Sequence, residues 1–164
     1  MAKRIARDGV LLALALILYA VEAQIPSPVP VPGVKLGISN IITLAAMFCI
    51  GPADALCILV CRIVMGQMFA GNAVSLIYAV SGGLLSYLVM YMLHKAVTHK
   101  QIWVCSVFSA AAHGVGQILS AAMVMKTTAV FIYIPFLVCS GIITGLFTGL
   151  CAGFVIARIN NNIK

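Results

Sequence analysis

The sequence predicts an all-α membrane protein, a bundle of six transmembrane helices with both termini on the cytoplasmic side. Of its 164 residues, 63% are hydrophobic and only 8% are charged, and the mean hydropathy is +1.17. An ordinary soluble domain has about 25% charged residues, so this chain could not hide its apolar surface from water and needs a lipid bilayer around it. At this length we expect one membrane domain, residues 1–164.

Six apolar segments predict the spans in chain order. They cover residues 9–24, 38–50, 53–69, 74–94, 102–125 and 130–157. The first follows a basic N-terminus, and the sixth is long enough to cross the bilayer at a tilt. The second is shorter than the ~20 residues that a span needs, and Gly51-Pro52 separates it from the third. The second and third segments are therefore either two spans or one re-entrant hairpin.

The segment between the first two spans, residues 25–37, has a proline at every second position from Pro26 to Pro32. Proline lacks the backbone N–H that a helix needs, so this stretch is predicted to be extended, near polyproline geometry. With the N-terminus inside, it forms a loop on the outer surface.

The basic residues agree with this topology. Of the ten Lys and Arg residues, seven fall on the cytoplasmic side, two on the outer side and one within a span, as the positive-inside rule predicts. The inner residues are Lys3, Arg4, Arg7, Lys95, Lys100, Arg158 and Lys164, and the outer ones are Lys35 and Lys126. The net charge of +7 therefore reports topology in a multi-pass protein of the cell membrane, and we predict no nucleic-acid partner.

Two charged residues lie within apolar segments, Glu22 near the outer end of the first span and Arg62 near the middle of the third. A charge at the centre of a span costs at least ~2.5 kcal/mol, which makes each a candidate for function. At ~1.5 Å per residue the two lie within ~7 Å in depth, a gap that an arginine can reach across. Either they form a structural ion pair, or one or both face a ligand.

The fifth span carries a polar stripe. Its members are Ser106, Ser109, His113, Gln117 and Ser120. At ~100° per residue they share one face of the helix, and such a face lies against other helices or a water-filled cavity rather than lipid. His113 and Gln117 are therefore candidate binding residues, and the alternative is a row of hydrogen bonds between helices with no ligand.

The start of the second span is a second candidate site. Gly37, Ser39 and Asn40 lie at a helix N-terminus, where backbone N–H groups attract anions, and Lys35 precedes them. This end is predicted either to hold a carboxylate or a phosphate, or to be an ordinary helix cap.

A ridge of glycines marks the sixth span. It consists of Gly141, Gly145, Gly149 and Gly153, each four residues apart. Small residues at this spacing let another helix approach closely. The ridge is predicted to pack within the bundle, and the alternative is a docking face for a partner subunit.

The remaining chemistry-bearing residues point away from metals and catalysis. All six cysteines fall inside apolar segments without metal-ligand spacing, where cysteine packs as a small hydrophobe. Prenyl-diphosphate chemistry needs clustered carboxylates for Mg²⁺, whereas the acids Asp8, Glu22 and Asp54 are far apart in sequence. We predict no metal site, and that the chain is not an enzyme.

Several short motifs resemble one family. They are Pro-Gly-Val-Lys-Leu-Gly at 32–37, Ser39-Asn40, Arg62 in the third span, and Ser-Gly-Gly-Leu-Leu-Ser at 81–86. In this order they resemble the Gx transporter family, also labelled heptaprenyl diphosphate synthase component I, over about residues 8–157. That family is similar to the substrate-binding S components of energy-coupling factor (ECF) vitamin transporters.

The resemblance implies an S-component-like fold with a substrate pocket near the outer face, closed by the loop 25–37. Carried over by motif, Lys35, Asn40 and Arg62 would line the pocket, and Glu22 would close it. The implied function is that of a substrate-binding subunit for a small vitamin-like or isoprenoid-like solute.

The implied partners are a transmembrane coupling protein and two cytoplasmic ATPases. S components often dock through an Ala-xxx-Ala pair on the first helix, and the nearest match here is Gly9 with Ala13. The alternative is a membrane subunit of a flavin- or quinone-linked extracellular electron transfer system. That alternative implies a flavin-carrying extracytoplasmic partner and a borrowed flavin or quinone, since the sequence indicates no covalently bound cofactor.

Overall fold

The computed structural model describes residues 2–25, 37–70, 73–98 and 101–162. Within these ranges it contains six α-helices and one 3₁₀-helix. They are α1 Ala2–Glu22, α2 Asn40–Cys49, α3 Pro52–Ala70, α4 Ala73–His94, α5 Ile102–Met125 and α6 Ile134–Asn162, with the 3₁₀-helix at Ala129–Tyr133. The all-helical fold class is confirmed. The predicted outer loop, apart from its two end residues, and the predicted site residue Lys35 lie outside the described residues.

Four stretches of the described chain are long and apolar enough to cross a membrane: Pro52–Phe69, Ala73–His94, Ile102–Met125 and Ala129–Arg158. α1 differs from the predicted span because it begins at Ala2 and so includes four charged residues before Gly9. The ten-residue α2 is ~15 Å long, half of the ~30 Å hydrocarbon core. A count of six full spans, and the side on which each end lies, remain predictions.

The outer surface of the bundle is apolar. Phe69 is 82% exposed and Phe154 and Met123 are each 77% exposed, and they belong to a much larger set of exposed Leu, Ile, Val, Met and Phe side chains. Continuous apolar surface of this extent is unfavourable in water and matches lipid tails. The chain is therefore a multi-pass membrane protein.

The short helix α2 lies at the centre of the bundle and contacts all five other α-helices. It is joined to α3 through Gly51, whose φ of +138° favours glycine. Asn40 is nine residues before Cys49, and Arg62 is ten residues after Pro52. At ~1.5 Å per residue, Asn40 and Arg62 each lie about 15 Å from this junction. α2 therefore begins inside the bundle, beside Arg62.

Glycines bring α5 into close contact with its two neighbours. A Cβ at Gly116 of α5 would lie 2.8 Å from the Ser81 carbonyl of α4. On α6, a Cβ at Gly149 would lie 2.6 Å from the Trp103 Cα of α5, and Gly141 and Gly145 are placed similarly. The fourth member of the ridge, Gly153, has no such neighbour within 4 Å.

The sixth span begins differently from the predicted single helix. Residues 129–133 form a 3₁₀-helix, and α6 starts only at Ile134. The physical reason is Pro135, which donates no backbone hydrogen bond and whose ring would clash with the carbonyl of Phe131, four residues earlier, in a continuous α-helix. A proline in the first turn of a helix is tolerated, so α6 begins one residue before it.

The glycine contacts on α6 predict a contrast between two substitutions one turn apart. Gly149→Val would force α5 and α6 apart against backbone atoms, and overpacking of this kind costs about 1–3 kcal/mol. Gly153→Val, in the same helix but with open space around it, is the matched control. Thermal unfolding in detergent should show a lower midpoint for Gly149→Val and little change for Gly153→Val. Equal midpoints would contradict the packing of the ridge on α5.

Candidate functional site

A small cavity lies where α1 ends and α2 begins, between these helices and α3, α4 and α5. Its lining residues are Tyr19, Glu22, Gly37, Ser39, Arg62, Ile63, Gln67, Ala79, His113 and Gln117. Its volume of about 20 Å³ has room for about one water molecule. Polar side chains from α1, α3 and α5, together with Ser39 just before α2, thus meet around one point within the bundle, while α4 contributes Ala79.

Arg62 is the central charge of this cavity and is only 4% exposed. Its terminal nitrogens donate to the Ser39 hydroxyl and, at 3.0 Å, to the Asn40 side-chain oxygen. Its third nitrogen, Nε, has no partner among the described residues. A buried donor without a partner costs free energy and is rare in native proteins, so this nitrogen marks a position for a further group.

Glu22 holds the start of α2. Its carboxylate, also 4% exposed, accepts hydrogen bonds from the backbone N–H groups of Gly37 and Ser39 and from the Ser39 hydroxyl, the latter two at 3.3 Å. The sequence predicted either an anion or an ordinary helix cap at this end of α2, and the group found there is the chain's own Glu22 carboxylate.

Ser39 connects the two buried charges. Its hydroxyl accepts from Arg62 and donates to Glu22, and the salt bridges of the described residues do not include a direct contact between the two. The predicted proximity of Glu22 and Arg62 is therefore realised through a bridging hydroxyl. A bridged pair leaves part of the guanidinium available to another acceptor.

Asn40 contacts the His113 ring and determines which ring nitrogen accepts a hydrogen bond. Because Arg62 can only donate, the Asn40 atom facing it is the carbonyl oxygen, and the amide nitrogen faces the ring at 3.4 Å from Nδ1. The amide nitrogen is itself a donor, so Nδ1 must accept. With Nδ1 as the acceptor, the neutral tautomer of the ring has its proton on Nε2, and a hydrogen bond also joins His113 to the Gly82 backbone.

Gln67 and Tyr19 line the cavity but were not predicted from the sequence. The Gln67 amide nitrogen donates to the Tyr19 hydroxyl at 2.8 Å, while its oxygen has no partner among the described residues although the side chain is 7% exposed. A signal existed, since an amide inside an apolar span is as unusual as a charge. It was missed because Gln67 lies ~140° around the helix from Arg62.

The polar stripe of α5 divides between the two predicted roles. All five side chains are buried. Ser106 hydrogen-bonds Thr148 of α6 at 2.9 Å, and Ser120 accepts from Ser81 of α4 at 2.7 Å. Only the middle pair, His113 and Gln117, lines the cavity. The ends of the stripe therefore join helices, and its centre faces the candidate site.

The other two acids lie at the opposite end of α1. Asp54 at the start of α3 accepts from Arg4 and, at 2.9 Å, from Arg7, which also pairs with Asp8 at 3.1 Å. These contacts fix the N-terminal ends of α1 and α3 together, so the two helices run in the same direction. Within the described ranges, no three His, Cys, Asp or Glu side chains are placed to share a metal ion.

These features define a helical membrane protein with a polar cavity inside the bundle. The family model described as heptaprenyl diphosphate synthase component I matches residues 11–155. The chain belongs to this family, the Gx transporter family, and the resemblance read from its motifs is confirmed. A search of curated proteins finds no match.

The bridging role of Ser39 predicts that its hydroxyl contributes to stability. Ser39→Ala would leave buried donors and acceptors of Arg62 and Glu22 unsatisfied, at a cost of about 1–3 kcal/mol each. Ser140→Ala is the matched control, because that hydroxyl only caps the Leu137 carbonyl of its own helix. We expect a lower thermal midpoint in detergent for Ser39→Ala alone, and a midpoint equal to the control would rule out the bridge.

Proposed function

We propose that the chain is a membrane-embedded solute-binding subunit, similar to the S components of ECF-type transporters, for a small vitamin-like solute. The observation that carries this proposal is the partnerless Nε of buried Arg62 in a polar cavity formed by five helices. A purely structural arginine would be expected to have all its donors satisfied.

The shape of α2 supports the same function. In a membrane protein, backbone outside regular helices is tolerated only where it is buried in protein or lines a cavity. Transporters use short helices that end inside the bundle to point N-terminal N–H groups at a bound solute. Here α2 begins beside Arg62, and Gly37 and Ser39, whose N–H groups are paired with Glu22, lie on the cavity wall just before it.

The cavity is much smaller than a site for a bound solute. Sites for small organic molecules occupy about 300–1,000 Å³, far more than the 20 Å³ enclosed here. Solute entry therefore requires separation of α1 from the start of α2. The contacts that must break are those of Glu22 with Gly37 and Ser39, which makes Glu22 the residue that holds the site closed.

The proposal includes an orientation and partners. The cavity faces the outer side of the cell membrane, and both termini are cytoplasmic. Transport is driven by a transmembrane coupling protein and cytoplasmic ATPases, and the chain itself carries out no covalent chemistry. No geometry of the described residues favours the alternative, a subunit of a flavin- or quinone-linked electron transfer system.

Native mass spectrometry of the protein gently extracted from its own membrane tests this function. The proposal predicts a small molecule bound one-to-one, with coupling and ATPase subunits alongside. A flavin-carrying extracytoplasmic partner with no small solute would instead support the electron-transfer alternative.

Arg62→Lys separates binding from folding. Lysine keeps the charge but loses Nε and the planar fork that reaches both Ser39 and Asn40. We expect the variant to insert and fold but to lose the bound molecule by tenfold or more, the result of losing about 1.4 kcal/mol or more of binding free energy. Arg158→Lys, at an exposed position near the C-terminal end of α6, is the control. Full retention in Arg62→Lys would remove Arg62 from the site.

A further inference from the structure

Two residues of α3 that line the cavity each keep one buried polar atom without a partner among the described residues. Arg62 leaves its Nε, a hydrogen-bond donor, and Gln67 leaves its side-chain oxygen, an acceptor. Both side chains are more than nine-tenths buried. With the Gln67 amide nitrogen donating to the Tyr19 hydroxyl at 2.8 Å, the Gln67 oxygen is the atom left without a partner. The residues that line the cavity therefore include one donor and one acceptor that lack hydrogen-bond partners.

Arg62 and Gln67 line the same small cavity, so one group of a bound solute is a candidate partner for both atoms. A volume of about 20 Å³ holds about one water-sized group. We propose that the part of the solute reaching this position both accepts from Arg62 Nε and donates to the Gln67 oxygen. The group is a hydroxyl or an amide rather than an ionised carboxylate or a phosphate. This inference rests on the proposed function and names the chemistry of its solute.

An anionic group fits this position poorly. Ionised carboxylates and phosphates can accept hydrogen bonds but not donate them. They would therefore satisfy Arg62 but place an acceptor against the Gln67 oxygen. The other anion-binding feature nearby, the N–H groups of Gly37 and Ser39, is already occupied by Glu22. A prenyl diphosphate, the compound in the family's label, would meet both obstacles.

Gln67 is accordingly a specificity-determining residue. A site with buried polar groups strongly rejects molecules that leave those groups without hydrogen-bond partners. This discrimination is much stronger than that of an apolar pocket against a molecule of the wrong shape. Gln67→Met keeps the length of the side chain but removes the acceptor, whereas Gln67→Glu keeps an acceptor oxygen at the same position. Gln101→Met, at an exposed position before α5, is the matched control.

The test uses the purified full-length chain and the small-molecule extract of the expression host as probe. Half of the extract is treated with alkaline phosphatase, which converts phosphate esters to hydroxyls. The protein is equilibrated with each half and washed, and the retained molecules are identified by mass spectrometry. We expect a retained molecule that carries a hydroxyl or an amide and whose retention survives phosphatase treatment.

We expect that retention to fall tenfold or more in Gln67→Met and to persist in Gln67→Glu and Gln101→Met. Retention that disappears after phosphatase treatment, or that is equal in Gln67→Met and wild type, overturns the inference while leaving solute binding intact. The phosphatase comparison uses only the wild-type protein and stands even where a variant does not fold. A wild-type chain that retains nothing from either half contradicts the proposed function itself.

Discussion

The burial of one guanidinium group constrains the rest of the structure. Moving an isolated charge out of water costs several kcal/mol even after relaxation, so the bundle must supply partners for Arg62 at mid-depth. It does so because α2 begins inside the bundle, which places Ser39 and Asn40 beside the charge. The shortness of α2 and its central position are what allow its first residues to meet this requirement.

In the proposed function, the contacts that hold the start of α2 must also release when a solute enters. Glu22 is tied to α2 through two N–H groups and one hydroxyl, each a modest contribution in a folded protein. At its other end α1 is fixed to α3 by Arg4, Arg7 and Asp54, and α5 is packed on α4 and α6 backbone to backbone. The proposed opening is therefore at the end of α1 that borders the cavity.

Much of the fold could be predicted because lipid demands apolar segments, and every helix of the structure lies on one. Periodicity also placed His113 and Gln117 correctly on the inner face of α5. The details that failed depend on contacts between distant segments. The sequence indicates an anion-attracting helix end but not that Glu22 occupies it. Helical periodicity groups residues of one helix by their angle around its axis, and by that criterion Gln67 and Arg62 lie on different faces. The 3₁₀ start of the last span was readable from Pro135 and was overlooked.

The central claim is that the hydrogen-bond partner of Arg62 Nε is a bound solute rather than a part of the protein. An experimental density map of the chain, purified in the presence of the host's small molecules, tests this most directly at a resolution where single hydrogen-bonding groups are visible. The account predicts non-protein density within hydrogen-bond distance of Arg62 Nε, in a cavity enlarged by displacement of α1 from the start of α2. A side chain of the protein itself bonded to Nε, with the cavity closed and dry, would contradict it.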